Sequence, residues 1–259
     1  MERATNPDSV QSLIRGLRVL TAFNRGKARM TLSEIAVLSD LSRGTTRRLL
    51  LTLVEIGYVG IDGKYFFLRP QLLELGYTYL STLSFNDIVQ KHLNLIADQL
   101  HESASASVLV FPDVVYVARA STNRLMTIGL SVGSKLPALY TSMGRAMLAQ
   151  LPKSELEACL ADIKLNPPTA QSIKTISVMK RELEKVRKDG YCILDQELET
   201  GLRSIGVAIG SHVNGIYAAI NVSVPASRVS IEDLKAKICP LLQSTAKEID
   251  KELGNVWPN

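Results

Sequence analysis

The chain has 259 residues, 46% of them hydrophobic, which is room for two domains with real cores. No uninterrupted apolar stretch approaches the length that spans a bilayer, and the N-terminus MERATNPDSVQ lacks a basic region followed by an apolar run; membrane and secreted classes are set aside and the cytoplasm is expected. The net charge of +5 sits wholly in residues 1–70, with 11 Lys and Arg against 6 Asp and Glu and 19 of each beyond, as suits a nucleic-acid reader joined to a neutral sensing domain.

In chain order, residues 9–23 read as a helix capped by Ser9, with Val10, Leu13, Leu17, Leu20 and Phe23 along one side. Asn24 to Lys27 closes it as a loop. The stretch TLSEIAVLSDLSRGTTRRLLLTLVEIG from Thr31 then reads as two short helices meeting at a tight turn. Thr31 and Glu34 form a capping box for the first, and Leu32, Ile35, Ala36 and Leu38 give it an apolar stripe. Ser42 caps the second. In that helix Leu49, Leu53 and Ile56 share one face, while Arg43, Gly44, Arg47 and Arg48 turn away from it.

Arginines grouped in the N-terminal half of a helix oppose its dipole by some tenths of a kcal/mol, and a bound polyanion reverses that preference. The second helix of a helix-turn-helix lays this end in the DNA major groove, where arginine pairs bidentately with guanine. Ser42, Arg43, Gly44, Thr45, Thr46, Arg47 and Arg48 are therefore the expected DNA contacts, set against a plain amphipathic helix with a solvated basic face. Two β-prone runs around Asp62-Gly63 follow, a hairpin signal. Such a hairpin is either a wing, with Lys64 at its tip reaching a phosphate, or a simple completion of the small core.

Pro70 suits the first position of a further helix. Leu72, Leu75 and Tyr79 lie on one side of it and Leu73, Tyr77 and Leu80 on another, so a linker apolar on two sides is expected to meet a second copy of the chain. Beyond it come a helix from Ser84 to His101, strands over 104–110, 114–120 and 125–131, a loop from Val132 to Pro137, a helix capped by Thr141 over 142–151, and another from Ser154. A helix over 178–188, strands over 204–209 and 216–224 joined through Asn214-Gly215, and a last helix from Ser230 interrupted at Pro240 complete the chain. The fold class is α+β: an antiparallel sheet covered by helices, behind a helix-turn-helix and its hairpin.

Enzyme signatures are lacking. There is no Gly-x-Ser-x-Gly elbow, no phosphate-binding glycine loop and no metal-ligand cluster, and the histidines are His92, His101 and His212. Cys159, Cys192 and Cys239 are widely separated and read as small buried hydrophobes. No catalytic residue, metal or cofactor is expected.

Five blocks together are similar to the IclR family of bacterial transcriptional regulators: the helix from Val10 to Phe23, SEIAVLSDLSRGTTRRLL, VGSKLPALYTSMGRAMLAQL from Val132, GYCILDQELETGLRSIGVAI from Gly190, and AAINVSVPASR from Ala218. The resemblance runs over about residues 9–250. Within the family, RRLLLTLVEIGYV, SVGSKLPA, TSMGR and DQELETGLRSI look most like the subgroup governing aromatic-acid breakdown through the β-ketoadipate pathway (protocatechuate, 4-hydroxybenzoate).

The resemblance implies a winged helix-turn-helix over 9–69, a linker helix over 70–83 and a GAF-like effector domain over 84–254. The expected partners are double-stranded operator DNA, a small organic-acid effector, further copies of the chain in a homodimer or dimer of dimers, and RNA polymerase, with no membrane. The alternatives are a regulator of a different carboxylic-acid operon, a DNA-binding protein with a purely structural dimerisation domain, or an enzyme acting on a small acid. The resemblance places effector contacts at Leu136, Ser142, Met143, Asp195, Ser204, Asn221 and Ser223. Some members with small hydrophilic effectors carry a cysteine after Gly-Leu-Arg and a serine at the Asn221 position; here stand Ser204 and Asn221. Independently, backbone N–H groups at the helix start over 141–143 suit a carboxylate. Arg203 either adds a charged fork there or pairs with Asp195, Glu197 or Glu199.

Overall fold

The computed structural model describes residues 9–23, 27–72, 75, 85–121, 130–210 and 217–256. The chain forms two compact units, Met1–Thr82 and Leu83–Asn259. The expected linker helix falls almost wholly outside the described residues, as do the Asn214-Gly215 turn, the Ser84 cap and most of the strand expected over 125–131.

In the first unit, helix α1 spans Gln11–Ala22, strand β1 Met30–Thr31, helix α2 Leu32–Ser39, helix α3 Arg43–Glu55, and strands β2 and β3 Val59–Asp62 and Tyr65–Leu68. Helix α2 starts on the capping box: Thr31 Oγ1 accepts from the Glu34 N–H at 3.4 Å and the Glu34 carboxylate accepts from the Thr31 N–H at 2.8 Å. Asp40, which caps its C-terminus, adopts a left-handed conformation (φ 54°) that turns the chain into α3. The two-residue turn at Gly63-Lys64 closes β2 on β3, with Asp62 opposite Tyr65. Strand β1 adds to the other edge of β3, a pairing of two residues too short to stand out in the sequence.

The core of this unit joins Val19, Ala22, Phe23, Met30, Ile35, Leu50, Leu53, Val59 and Phe66. Two expectations change. The N-cap of α1 is Val10, with no side-chain cap, in place of Ser9, and the stripe Val10, Leu13, Leu17 is exposed. In α3 the inward face is Thr46, Leu50 and Leu53, whereas Ile56 is exposed and Leu49 half-buried.

In the second unit, helix α4 spans Phe85–Leu100 and precedes strands β4 Ser103–Val110, β5 Asp113–Ala120 and β6 Lys135–Pro137. The chain continues through helices α5 Ser142–Leu148, α6 Lys153–Ala161 and α7 Ile176–Asp189, strands β7 Cys192–Asp195, β8 Leu202–Ile209 and β9 Ala218–Pro225, and a final helix α8 Cys239–Val256 entered through a π-helical turn at Leu234–Ile238. The six strands form one antiparallel sheet in the order β6-β5-β4-β9-β8-β7. Part of the expected loop from Val132 to Pro137 thus serves as an edge strand, and β7 was not foreseen; both are short and carry little strand pattern.

The period-2 alternation of the strands splits the sheet into two faces. Ala104, Ala106, Ile205, Val207, Ile220 and Val222 pack with Val89, Leu93, Leu242 and Ile249 of α4 and α8. Val114, Tyr116, Cys192, Leu194 and Ala219 pack with Met143, Met147 and Leu148 of α5 and Met179, Leu183 and Val186 of α7. One of the two candidate sites lies on the α5 face.

Candidate functional site

The first candidate surface is the N-terminal half of α3. Ser42 Oγ caps it by accepting the Thr45 N–H at 3.2 Å, and no acidic residue stands in its first turn. Ser42, Arg43, Gly44, Arg47 and Arg48 are exposed and Thr45 is half-buried. Thr46 is not part of this surface: it is fully buried, and its hydroxyl donates to the Ser42 carbonyl at 3.0 Å. The ion pairs described in this unit are Lys27–Glu34 and Arg29–Asp62. Among the described residues, then, Arg43, Arg47 and Arg48 have no carboxylate within reach, an arrangement that leaves three fixed cations facing outward. Lys64, at the hairpin tip, is exposed with its Nζ 5.4 Å from the Tyr65 ring centroid.

The second candidate site lies between α5 and the sheet. Alternation turns Ser103 and Ser105 of β4, Ser204 and Gly206 of β8, and Asn221 and Ser223 of β9 toward α5, opposite to the alanine, valine and isoleucine residues of the other core. They line up across strands: Ser103 opposite Ser223, Ser223 opposite Ser204, Ser105 opposite Asn221, and Asn221 opposite Gly206. The glycine is needed. A Cβ on Gly206 would lie 2.6 Å from the Ser142 carbonyl carbon and 2.8 Å from the Met143 nitrogen, so its absence lets the start of α5 settle on the sheet.

Two buried polar atoms at this contact, Ser142 Oγ and Asn221 Oδ1, have no hydrogen-bond partner. Their residues are 1% and 5% exposed. An unsatisfied buried polar atom costs about 1–3 kcal/mol, and two of them on neighbouring elements call for an explanation. The amide of Asn221 meanwhile donates to Ser223 Oγ at 3.2 Å. Met143 is fully buried and its sulfur accepts from the Ser107 hydroxyl at 3.3 Å. Leu136, on β6 opposite Val114, packs at the margin of the same core.

The anion site expected from backbone alone is weaker than the sequence suggests. Helix α5 has only seven residues, Thr141 Oγ1 already takes the Gly144 N–H at 3.1 Å, and Gly206 lies against Met143.

Asp195 and Arg203 do not join this group. They are cross-strand partners of each other, and Arg203 pairs with Val224 on its other side, which places both on the opposite face of the sheet from Ser204 and Asn221. Arg203 Nε donates to Asp195 Oδ1 at 2.6 Å, and its Nη1 donates to the carbonyls of Ala226 and Val229 at 3.0 and 2.7 Å. The guanidinium holds the Asp195 carboxyl below its ordinary pKa. Arg203 is therefore the salt bridge that stood as its alternative, and its fork is used.

The sequence reading also missed residues. The alternation SASAS over 103–107 was the available signal: serines on one face and alanines on the other leave a sheet centre without bulk. Arg145 of the TSMGR block is fully buried and forms a bidentate pair with Glu197, at 2.8 and 2.6 Å, while its Nε donates to the Leu139 carbonyl. That pair ties α5 to the turn after β7. Its neighbour Cys192 is buried, which pushes the thiol pKa to about 12 and leaves it an inert core group.

Both units have the arrangement of a ligand-responsive DNA-binding regulator, and comparison with known proteins agrees. The family model for the bacterial transcriptional regulator IclR C-terminal domain matches residues 77–251, and that for the IclR helix-turn-helix domain matches residues 12–63. The chain belongs to the IclR family. It is 37% identical over 96% of its length, and 86% of the relative's, to the Pca regulon regulatory protein of Pseudomonas putida. It is 30% identical over 96% of its length, and 93% of the relative's, to the p-hydroxybenzoate hydroxylase transcriptional activator of Acinetobacter baylyi. A solved structure described as a transcriptional regulator of Rhodococcus sp. RHA1 shares 46% identity and a TM-score of 0.80 over 96% of this chain and all of that one. These likenesses support the aromatic-acid catabolism subgroup.

Proposed function

We propose that this protein is a regulator whose C-terminal unit binds a small aromatic acid and whose α3 helix reads operator DNA. The observation that carries the effector part is the pair of unpartnered buried atoms, Ser142 Oγ and Asn221 Oδ1, facing a wall of serines. A ligand hydroxyl that donates to Asn221 Oδ1, with a hydroxyl or carboxylate that accepts from Ser142 Oγ, satisfies them, and an aromatic ring suits the neighbouring Met143 and Leu136. The contacting set is Leu136, Ser142, Met143, Ser204, Asn221 and Ser223, without Asp195 and Arg203. An activator named for p-hydroxybenzoate hydroxylase among the relatives favours that enzyme's substrate, or a near relation such as protocatechuate, as effector.

Arg43, Arg47 and Arg48 with Ser42, Gly44, Thr45 and Lys64 form the DNA-contacting set. An apolar groove on the first unit, lined by Leu13, Leu17, Leu49, Ile56, Tyr58 and Leu75, supports assembly with a second copy, which brings two recognition helices onto a two-fold operator. The protein acts as a regulator without catalysis of its own, works in the cytoplasm, and communicates with RNA polymerase at the promoter. Among the described residues, no helix is long and apolar enough to cross a membrane and no cluster of His, Cys, Asp and Glu is arranged to hold a metal.

Gel retardation of the DNA flanking its own gene, with and without 4-hydroxybenzoate or protocatechuate, tests the reading. Retardation that either acid alters is expected. Retardation indifferent to every aromatic acid removes the effector class, and no retardation at low ionic strength removes the regulator.

A further inference from the structure

Resting on the reading of the second unit as an acid-responsive domain, we propose that Arg119 is the carboxylate anchor of its effector site, the cation that selects acids over their neutral analogues. Arg119 lies near the end of β5, directly opposite Ser105, which in turn pairs with Asn221 and, through it, Gly206. Four adjacent strands thus carry Arg119, Ser105, Asn221 and Gly206 in one row across the α5 face. At about 4.8 Å per strand, the Arg119 backbone stands about 10 Å from that of Asn221, a gap that an arginine side chain and one benzene ring fill together.

A β-bulge makes this alignment. The register between β4 and β5 shifts at Ala106/Ser107, so that Ala118 faces Ala106 while Tyr116 faces Ser107 and Val117 is skipped. Residues three apart on a regular strand point to opposite faces; the extra residue turns Tyr116 and Arg119 to the same one. Tyr116 belongs to the α5-side core, and Val117, Ala118 and Ala120 to the other. The backbone of Arg119 is held as well. Gln90 of α4 accepts its N–H at 3.3 Å and donates to its carbonyl at 3.2 Å. With its own N–H and carbonyl turned away from β4, Arg119 forms a non-hydrogen-bonded pair with Ser105, the kind in which facing side chains approach most closely.

Among the described residues, no carboxylate neutralises this cation. Arg145, Arg203 and Arg228 each have a carboxylate partner; Arg119, partly buried, has none among the described residues. A part-buried guanidinium with no anion among the described residues, on the sheet face that carries Asn221 Oδ1 and meets Ser142 Oγ of α5, fits an anion brought by the ligand. The carboxylate sits on the Arg119 fork, the ring crosses small Ser105, and a ring hydroxyl reaches Asn221 and Ser142. The Tyr116 phenol, pushed up to about 12 by burial, stays protonated beside it as a donor.

The test uses the full chain and two probes of nearly equal shape, 4-hydroxybenzoate and 4-hydroxybenzamide, with calorimetric affinities and thermal shift. The unaltered protein is expected to bind the acid at least tenfold more tightly than the amide. Arg119→Gln, checked for folding by its ligand-free melting curve, is expected to bind the acid about 10- to 100-fold more weakly and to lose the preference for acid over amide. Arg119→Lys keeps the charge without the fork and falls between the two. If Arg119→Gln does not fold, the lysine variant and the acid-to-amide ratio of the unaltered protein decide.

Undiminished acid affinity in Arg119→Gln or Arg119→Lys overturns the anchor and leaves the acid-effector reading standing, as does equal affinity for acid and amide in the unaltered protein. Failure of the unaltered protein to bind any aromatic acid overturns both.

Discussion

The two units use arginine in opposite ways. In the first, Arg43, Arg47 and Arg48 stand exposed on one helix with no acidic residue in its first turn. In the second, Arg145, Arg203 and Arg228 hold carboxylates, and Arg187 donates to the carbonyls of Ala149 and Leu151. A guanidinium whose donors are spent on the protein braces the fold, whereas one left unspent toward a surface or cavity is free for an anion from outside. By that measure the arginine face of α3 is open to phosphates and base edges, and among the described residues Arg119 of the second unit is a part-buried arginine left open in the same way.

The sharpest break of this contrast is Arg145→Ala. It removes one member of a buried bidentate pair and strands Glu197, which also accepts the Ile173 N–H at 3.1 Å. Breaking such a pair costs about 3–5 kcal/mol, which for a unit of this size lowers the melting temperature by on the order of 10 °C. A variant that melts with the unaltered protein means that the pair does not brace α5. Arg47→Ala is expected to do the reverse. Operator affinity falls by about 1–3 kcal/mol if the residue reads a base, while unfolding in urea stays within about 0.5 kcal/mol. Operator titrations at two salt concentrations check it, since loss of a phosphate contact also flattens the salt dependence. Unchanged affinity takes Arg47 out of the interface.

What could be read from the sequence follows how local each signal is. The Thr31–Glu34 box and the Ser42, Thr141 and Ser230 caps are short-range chemistry, and all form. The arginine face of α3 is equally local, whereas the position of its apolar face was off by about one residue, so that Thr46 turned inward where a DNA contact was expected.

Strand pairing is not local. β1 and β7 are two and four residues long, and their partners decide them. The effector site shows the same limit more severely. Asp195 and Arg203 belong to the same conspicuous blocks as Ser204, yet one residue of strand parity sends them to the far face. Arg119 reaches the near face through a bulge that no spacing in the sequence reveals.

The smallest effect separates charge from hydrogen bonding at the start of α2. Glu34 bonds the Lys27 ammonium at 2.6 Å and the Thr31 N–H at 2.8 Å, and these partners, Lys27 first, lower its pKa from 4.5 to about 2. A depressed folded-state pKa means stability present above the unfolded value of 4.5 and lost as the pH falls toward about 2. Salt screens so exposed a carboxylate, so the loss is modest and is best seen at low ionic strength. Glu34→Gln keeps an acceptor for the capping box while removing the proton equilibrium. Amide protection of α2 is therefore expected to decline between pH 4.5 and 2.5 in the unaltered chain and to decline less in Glu34→Gln. Superimposable pH profiles of the two proteins refute a role for the Glu34 charge and leave the hydrogen bonds alone holding the first turn of the helix that supports α3.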